Sequence, residues 1–201
     1  RALLRDLGLP ESSEAVPIFG VVSRLTEQKG MGLLLEALPR LFQRGTILAL
    51  LGSGHQRYED AFRRLVSDNP TQAGVRLGFD ERLAHRIFAG SDFYLMPSLF
   101  EPCGLSQLHA MRYGCIPIVR ATGGLQDTVT AWNPRTGEGN GFKFQDPLPE
   151  ALLGCVEQAI EVYWNTHAFE TLRHSAMQAR FSWDTAAGEY EQVYQSILPH
   201  A

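Results

Sequence analysis

Short apolar segments alternate with amphipathic segments along most of the chain. The apolar segments are rich in β-branched and aromatic residues, whereas between them apolar residues recur at helical spacing, as Leu34, Leu38 and Leu41 do. This alternation is typical of repeated βαβ units, in which helices join parallel strands. The predicted strands are residues 16–22, 47–51, 75–77, 93–96, 116–119 and 141–144.

The fold class that this pattern predicts is α/β. We expect a doubly wound, mostly parallel, Rossmann-like sheet of about six strands with helices on both faces. From Pro147 onward the pattern is purely helical, and the last predicted helix covers residues 183–197. The sequence therefore predicts a Rossmann-like domain, residues 1–180, followed by a C-terminal helix within residues 181–201.

Composition narrows the functional classes. The 201 residues are 44% hydrophobic, which is enough for one domain with a sizeable core. The net charge of −4 and the lack of a long Lys or Arg run argue against nucleic acid as a partner. No apolar run approaches the roughly 20 residues of a membrane span, so no membrane partner is expected.

The cysteines and the first residue carry further information. The three cysteines are odd in number and lack a C-x-x-C pair, which fits a reducing compartment and neither a disulfide framework nor a zinc site. The chain begins with Arg1 and not with Met, which suggests a piece of a larger protein.

Candidate binding residues follow the predicted strands. They are Arg24 and Lys29 after the first strand, Gly52 and Gly54 after the second, Phe79 after the third, residues 97–106 after the fourth, and residues 120–124 after the fifth. Open parallel sheets bind ligands beyond the carboxyl ends of their strands, where the strand order reverses. We therefore expect these separate loops to meet around one crevice.

The segment after the fourth strand is the most informative. Glu101 stands just before a helix start made of small residues, Cys-Gly-Leu-Ser at 103–106, and a glycine-rich turn at 122–124 follows the next strand. A carboxylate and free backbone N–H groups can thus converge on one polyol phosphate. This combination indicates a sugar-nucleotide site.

The charged candidates also have simpler explanations. Arg24 and Lys29 can approach one diphosphate from two sides, but the same residues suit an ordinary solvated loop. Glu101 can be a first-turn glutamate that favours the helix dipole, an effect of roughly 0.3–1 kcal/mol. Both readings stay open on these residues alone.

The remaining candidates are similarly ambiguous. The Gly-Ser-Gly at residues 52–54 begins like a dinucleotide fingerprint, but Arg57 takes the place of the third glycine, so a tight turn explains it equally well. By residue type alone, Phe79 is expected in the core and Cys103 as a small buried thiol. No histidines share a metal-ligand spacing and no Asp-x-Asp pair is present, which predicts a reaction without metal.

Several motifs, in this order, resemble the C-terminal, donor-binding half of bacterial glycogen synthases and plant starch synthases, from about Pro17 to the final helix. They are Ser-Arg-Leu-Thr-Glu-Gln-Lys-Gly at 23–30, Leu-Gly-Ser-Gly at 51–54, Gly-Phe at 78–79, Pro-Ser at 97–98, Glu-Pro-Cys-Gly-Leu at 101–105, Arg-Tyr-Gly at 112–114, Thr-Gly-Gly-Leu at 122–125 and Asp-Thr-Val at 127–129. The resemblance implies one half of a GT-B architecture, which has two Rossmann-like domains with a cleft between them. It also implies a retaining glucosyltransferase that adds glucose from ADP-glucose or UDP-glucose to the non-reducing end of an α-1,4-glucan.

The resemblance also assigns roles to residues of this chain. It implies Arg24, Lys29 and Glu101 as catalytic residues: the two cations neutralise the diphosphate as the glycosidic bond breaks, and Glu101 accepts hydrogen bonds from glucose hydroxyls. Phe79, where many members have tyrosine, stacks on adenine. His109 stands where other transferases of this architecture have a second glutamate. The implied donor-binding residues are Gly52, Gly54, Phe79, Cys103, Gly104, Leu105 and Ser106, the backbone near Cys103 and Gly104 holding the sugar and Ser106 contacting phosphate.

The resemblance covers only the donor side of such an enzyme. The family's N-terminal half supplies a Lys-x-Gly-Gly loop and most glucan contacts, and no stretch before Val16 resembles it. We expect this chain alone to bind nucleotide weakly and to transfer glucose negligibly. We also expect its last helix to cross back to that absent domain, leaving an apolar stripe exposed or paired with another copy: Trp183, Tyr190, Val193, Tyr194 and Ile197.

The expected partners are a nucleotide-sugar donor and, through the N-terminal domain, an α-glucan acceptor, with no cofactor beyond the substrate nucleotide. The implied location is the cytoplasm for a bacterial protein and the plastid stroma for a plant protein. Other functions stay open: a Rossmann-type redox domain, which the incomplete glycine fingerprint disfavours, a non-catalytic nucleotide-binding or interaction module, and another GT-B-type transferase or epimerase.

Overall fold

The computed structural model describes residues 2–11 and 15–198. The strands in this part of the chain are β1 (Ile18–Val22), β2 (Ile47–Gly52), β3 (Ala73–Leu77), β4 (Phe93–Met96), β5 (Ile116–Arg120) and β6 (Phe142–Phe144). They form one parallel sheet in the order β3-β2-β1-β4-β5-β6. The predicted α/β class with a six-stranded parallel sheet is confirmed.

Helices connect the strands and complete the C-terminal part. They are α1 (Ala2–Asp6), α2 (Met31–Gln43), α3 (Gln56–Asp68), α4 (Glu81–Gly90), α5 (Ser106–Arg112), α6 (Gly124–Thr128), α7 (Pro149–Trp164), α8 (Thr166–Gln178) and α9 (Trp183–Ile197). One turn of 3₁₀ helix, Glu27–Lys29, lies between β1 and α2.

The sheet separates two apolar layers. On one face, α2, α3, α7 and α8 pack against strand residues such as Phe19 and Phe93. On the other face, α1, α4, α5 and α6 pack against residues that include Leu51, Tyr94 and Val119. A strand covered on both faces must be apolar at nearly every position, and β2 is accordingly buried along its whole length.

The strand order reverses between β1 and β4, and these strands separate early. Their Cα register joins only Phe19 with Phe93 and Gly20 with Tyr94. Beyond that point the Tyr94 hydroxyl accepts a hydrogen bond from the Val22 N–H (3.2 Å) and donates one to the Val22 carbonyl (2.8 Å). Because the hydroxyl takes these backbone groups, a crevice opens between the carboxyl ends of β1 and β4.

The main differences from the predicted elements have local reasons. β1 begins at Ile18 and not at residue 16. β3 begins at Ala73, two residues before its predicted start, because Ala73 and Gly74 pair with β2 although neither has strong strand propensity. The short helices α1 and α6 were not predicted, since five residues cannot show a helical period.

The C-terminal region is helical, as predicted, and α9 has the predicted bounds. The large apolar side chains of α9 are exposed, Trp183 to 84%. That this helix crosses to another domain remains a prediction. In the described part of the chain, no helix combines the length and apolarity needed to cross a membrane.

Candidate functional site

Loops that follow β1 and β4 enclose a cavity of about 190 Å³ at the reversal point of the sheet. Among the described residues, its lining contains two cations and no carboxylate. The residues are Val22, Ser23, Arg24, Lys29, Met31, Leu95, Met96, Pro97, Ser98 and Ser106. This position is the one at which open parallel sheets bind ligands.

Direct backbone contact holds the two loops together. The Leu99 N–H donates to the Gln28 carbonyl (2.8 Å), and the Gln28 side chain donates to the Phe100 carbonyl (3.2 Å). Gly30 has φ +69°, and a Cβ added to it would lie 2.0 Å from the Pro97 carbonyl oxygen. Only glycine therefore permits both the backbone conformation and the close approach that brings the loops together.

This contact brings the Lys29 side chain next to that of Glu101. The Lys29 ammonium forms an ion pair with Oε2 of Glu101, and the Ser98 hydroxyl donates to the same oxygen (3.2 Å). The Glu101 side chain is 8% exposed and that of Lys29 17%. Glu101 does not line the cavity, whereas Lys29 both lines it and contacts the carboxylate.

Arg24 completes the cationic wall of the cavity. It is exposed, and within the described residues its guanidinium has no ion-pair or hydrogen-bond partner. Arg24 also lines a second cavity, of about 160 Å³, between the loops after β1, β2 and β3. The guanidinium is therefore available to an anion that spans both cavities.

The second cavity is the more apolar of the two. Its lining includes Gly52, Phe79 and Ala84. The Phe79 ring is 92% exposed, so the expectation from residue type alone that it lies in the core is wrong. Its loop follows β3 directly and turns the ring to solvent, where it can meet a flat apolar group.

Gly52, the last residue of β2, and Gly54, two positions later, both serve loop packing. A Cβ at Gly52 would lie 2.1 Å from the Ser23 carbonyl oxygen, and one at Gly54 would lie 2.3 Å from that of Leu25. The Leu25 N–H donates to the Ser53 carbonyl (2.8 Å), which joins the loops. Gly52 lines the second cavity and Gly54 lines neither, so close backbone packing accounts for the Gly-Ser-Gly sequence.

The segment between Glu101 and α5 connects the buried carboxylate to Ser106, which lines the first cavity. Cys103 is exposed, so the expectation of a buried thiol is wrong. Leu105 is exposed as well, Gly104 has φ +72°, and Ser106 begins α5 and lines the first cavity. Cys103, Gly104 and Leu105 do not line either cavity, and their predicted contacts with a sugar remain predictions.

Arg120 and Gln107 support this segment, and neither role was predicted. Arg120 donates to the carbonyls of Ser98 (2.9 Å) and Leu99, and a third contact reaches the Gln145 carbonyl (3.3 Å). The buried amide of Gln107 donates to the Gly104 carbonyl (2.9 Å). The sequence offers only weak signals for such roles, a lone cation after a strand and a polar residue on the inner face of a helix.

The Tyr94 hydroxyl lies beneath the same crevice and was also missed. Burial raises the pKa of Tyr94 strongly, so the phenol stays protonated and can donate to Val22. His109 is exposed, with its ring centroid 6.0 Å from that of Phe88, and it lines neither cavity. No cluster of three or more metal-ligating side chains occurs among the residues that the structure describes.

Comparison with known proteins defines the class. The family model described as "Glycosyl transferases group 1" matches residues 10–171. The chain belongs to this family, and its sheet is the Rossmann-like fold of one half of a GT-B glycosyltransferase.

The more specific similarity is to glycogen and starch synthases. The chain is 47% identical over 193 residues to a glycogen synthase of Koribacter versatilis (96% of this chain, 40% of that protein) and 48% identical over 200 residues to one of Exiguobacterium sibiricum (100% and 41%). The catalytic domain of starch synthase IV from Arabidopsis thaliana, bound to ADP and acarbose, superposes with a TM-score of 0.86 at 36% identity, covering 97% of this chain and 41% of that one. The chain thus spans about two fifths of the length of these curated relatives.

Proposed function

We propose that this chain is the donor-nucleotide-binding half of a glycogen or starch synthase. The whole enzyme transfers glucose, with retention, from ADP-glucose or UDP-glucose to the non-reducing end of an α-1,4-glucan. The observation that carries the proposal is the cavity between β1 and β4, where Arg24 and Lys29 face one space and Lys29 contacts the buried Glu101. A diphosphate there meets two cations, with a carboxylate next to the position of the attached sugar.

The two cations suit the chemistry of a diphosphate leaving group. When the bond between glucose and diphosphate breaks, negative charge increases on the phosphate oxygens. A guanidinium and an ammonium already in place stabilise that charge, and such preorganised electrostatic stabilisation is usually the largest single contribution to catalysis. Arg24 can turn to the ligand at little cost because it has no competing partner within the described residues.

The second cavity suits the base of the nucleotide. Phe79 presents an exposed ring beside Gly52, and Arg24 lies between this cavity and the first. We propose that the base stacks on Phe79, that the diphosphate reaches Arg24 and Lys29, and that the glucose hydroxyls reach Glu101. Because the similar starch synthase IV structure holds ADP, we propose ADP-glucose as the preferred donor.

The acceptor and the second half of the active site belong to this proposal as well. The α-glucan is held by the N-terminal half that the family resemblance implies, and the exposed apolar side of α9 packs against that half. This chain alone then binds the donor nucleotide and transfers glucose negligibly. We propose a cytoplasmic location, since the similar glycogen synthases come from bacteria.

Calorimetric titration tests the nucleotide site directly. ADP, ADP-glucose, UDP and NAD are titrated into this chain and into Arg24→Ala. Loss of one hydrogen-bonded charge contact is worth about 1.5–3 kcal/mol, so the variant should bind ADP about 10- to 150-fold more weakly. Arg64→Ala is the matched control, because Arg64 is exposed on α3 and lines neither cavity. Tighter binding of NAD than of ADP, or equal ADP affinity in Arg24→Ala and the parent, would contradict the proposal.

A further inference from the structure

The ion pair between Lys29 and Glu101 places a competitor for an anionic ligand within the site itself. Lys29 faces the cavity, yet its ammonium already contacts the Glu101 carboxylate. The two partners that this carboxylate has among the described residues, Lys29 and Ser98, reach the same oxygen, Oε2. No hydrogen bond from any described residue reaches Oε1, so that oxygen keeps its capacity to accept one.

A diphosphate that draws Lys29 away leaves Glu101 poorly compensated. The carboxylate is almost completely buried, and the remaining contact, from the Ser98 hydroxyl, is neutral and 3.2 Å long. Removing one partner of a buried ion pair is strongly unfavourable because the other charge stays desolvated. Binding of a nucleoside diphosphate without its sugar therefore carries a penalty inside the protein.

A sugar on the diphosphate removes this penalty. Hydroxyl groups of a hexose can donate hydrogen bonds to Glu101 at the moment when Lys29 moves toward the phosphates, and hydrogen bonds to a charged acceptor are strong. We infer that the Lys29–Glu101 pair couples phosphate binding to sugar binding, so that the site favours the intact sugar nucleotide and disfavours the nucleoside diphosphate left after transfer. This inference rests on the proposed function and adds a specificity device to it.

The coupling predicts an unusual effect of a conservative substitution. Glu101→Gln removes the competing charge and keeps the size of the side chain, so Lys29 becomes free for the phosphates. ADP should then bind about tenfold more tightly than to the parent chain, since one charge-assisted contact becomes available. ADP-glucose should gain less, so the ratio of the two affinities should fall.

Glu27→Gln is the matched control for a general change in charge. Glu27 is in the same loop as Lys29, but it is exposed and pairs with Arg57 and Tyr58. Its substitution changes the net charge by the same amount without touching the Lys29–Glu101 pair. We expect it to change the ADP affinity by less than about twofold, because exposed charges are well screened.

A double-mutant cycle completes the test, with ADP and ADP-glucose titrated calorimetrically into the parent, Glu101→Gln, Lys29→Ala and the double variant. The effect of Glu101→Gln on ADP affinity should disappear when Lys29 is absent. Three results would each overturn the coupling while the proposed function stands. The first is unchanged or weaker ADP binding in Glu101→Gln. The others are an equal gain in ADP affinity in Glu27→Gln, or an equal gain when Glu101→Gln is made in the Lys29→Ala background. Failure of the parent chain to bind ADP at all would instead refute the proposed function. Glu101→Met, apolar and of similar size, repeats the test if the glutamine variant unfolds.

Discussion

The contact between Gly30 and Pro97 can be tested by adding one methyl group. In Gly30→Ala the new Cβ would lie 2.0 Å from the Pro97 carbonyl oxygen, whereas Cβ contacts essentially never fall below 3.0 Å. The loops after β1 and β4 must therefore separate by about 1 Å, the difference between these distances. This movement breaks the hydrogen bond between the Leu99 N–H and the Gln28 carbonyl, which is 2.8 Å long.

The size of the effect follows from four contributions. An alanine in the left-handed region costs about 1–2 kcal/mol, and its lower entropy in the unfolded chain returns about 0.4–1 kcal/mol. The lost backbone hydrogen bond adds about 0.5–1.5 kcal/mol, and the separation of packed loops adds a similar amount through lost contacts. The free energy of unfolding should fall by about 2–3 kcal/mol.

Gly45→Ala isolates the backbone part of this effect, so the difference between the two variants gives the steric part. Gly45 has φ +72°, nearly the same as Gly30, but a Cβ there would meet nothing within 4 Å. Its substitution should lower the free energy of unfolding by about 1 kcal/mol or less, the backbone cost alone. Urea unfolding followed by circular dichroism compares the two variants, and ADP titration shows whether displaced loops weaken the site. Equal stability of the two variants, with parental ADP affinity in Gly30→Ala, would refute the reasoning.

Three further changes address the base, the loop support and the amino edge of the sheet. Phe79→Ala should weaken ADP binding by about 1–3 kcal/mol in calorimetry. Because Phe79 is 92% exposed, the melting temperature should stay unchanged. A lower melting temperature would contradict the exposed position of the ring. Arg120→Gln should lower ADP-glucose affinity more than ADP affinity, because it releases the backbone that carries Glu101, and equal losses for both ligands would argue against this role. Burial raises the pKa of Asp92, so just above the ordinary carboxyl pKa of about 3.9 the folded protein keeps a proton on this group that the unfolded chain has released, and the contribution of Asp92 to stability falls as pH rises. The free energy of unfolding of Asp92→Asn relative to the parent should therefore increase from about pH 4 to pH 7, and a constant difference in urea unfolding would contradict this.

The sheet could be predicted from the sequence because its physical requirement is simple. Strands covered on both faces must be apolar, and β2 and β4 meet this rule at every position. The same topology also predicted the position of the site. Loops after neighbouring parallel strands lie at one edge of the sheet, so one crevice was expected to contain Arg24, Lys29 and the segment around Glu101.

The supports of the site could not be predicted, because they depend on three-dimensional contacts without a periodic signal. Arg120 is a single cation after a strand, and nothing in its neighbourhood shows that it binds the carbonyls of Ser98 and Leu99. Phe79 illustrates the reverse error, because hydrophobicity favours the core while the short loop after β3 exposes the ring. In the sequence Tyr94 is an ordinary strand residue. Only the structure shows that its hydroxyl contacts the backbone of Val22, beyond the last paired residues of β1 and β4.

Lys29 and Glu101 are 72 positions apart along the chain, and the strands that precede them, β1 and β4, are neighbours in the sheet because β2 and β3 lie on the opposite side of β1. No fragment ending before β4 can therefore form the paired charges. A nucleotide bound at this crevice should protect β1, β4 and β5 from amide hydrogen exchange as one cooperative unit, so ligand-dependent protection would report completion of the whole sheet during folding.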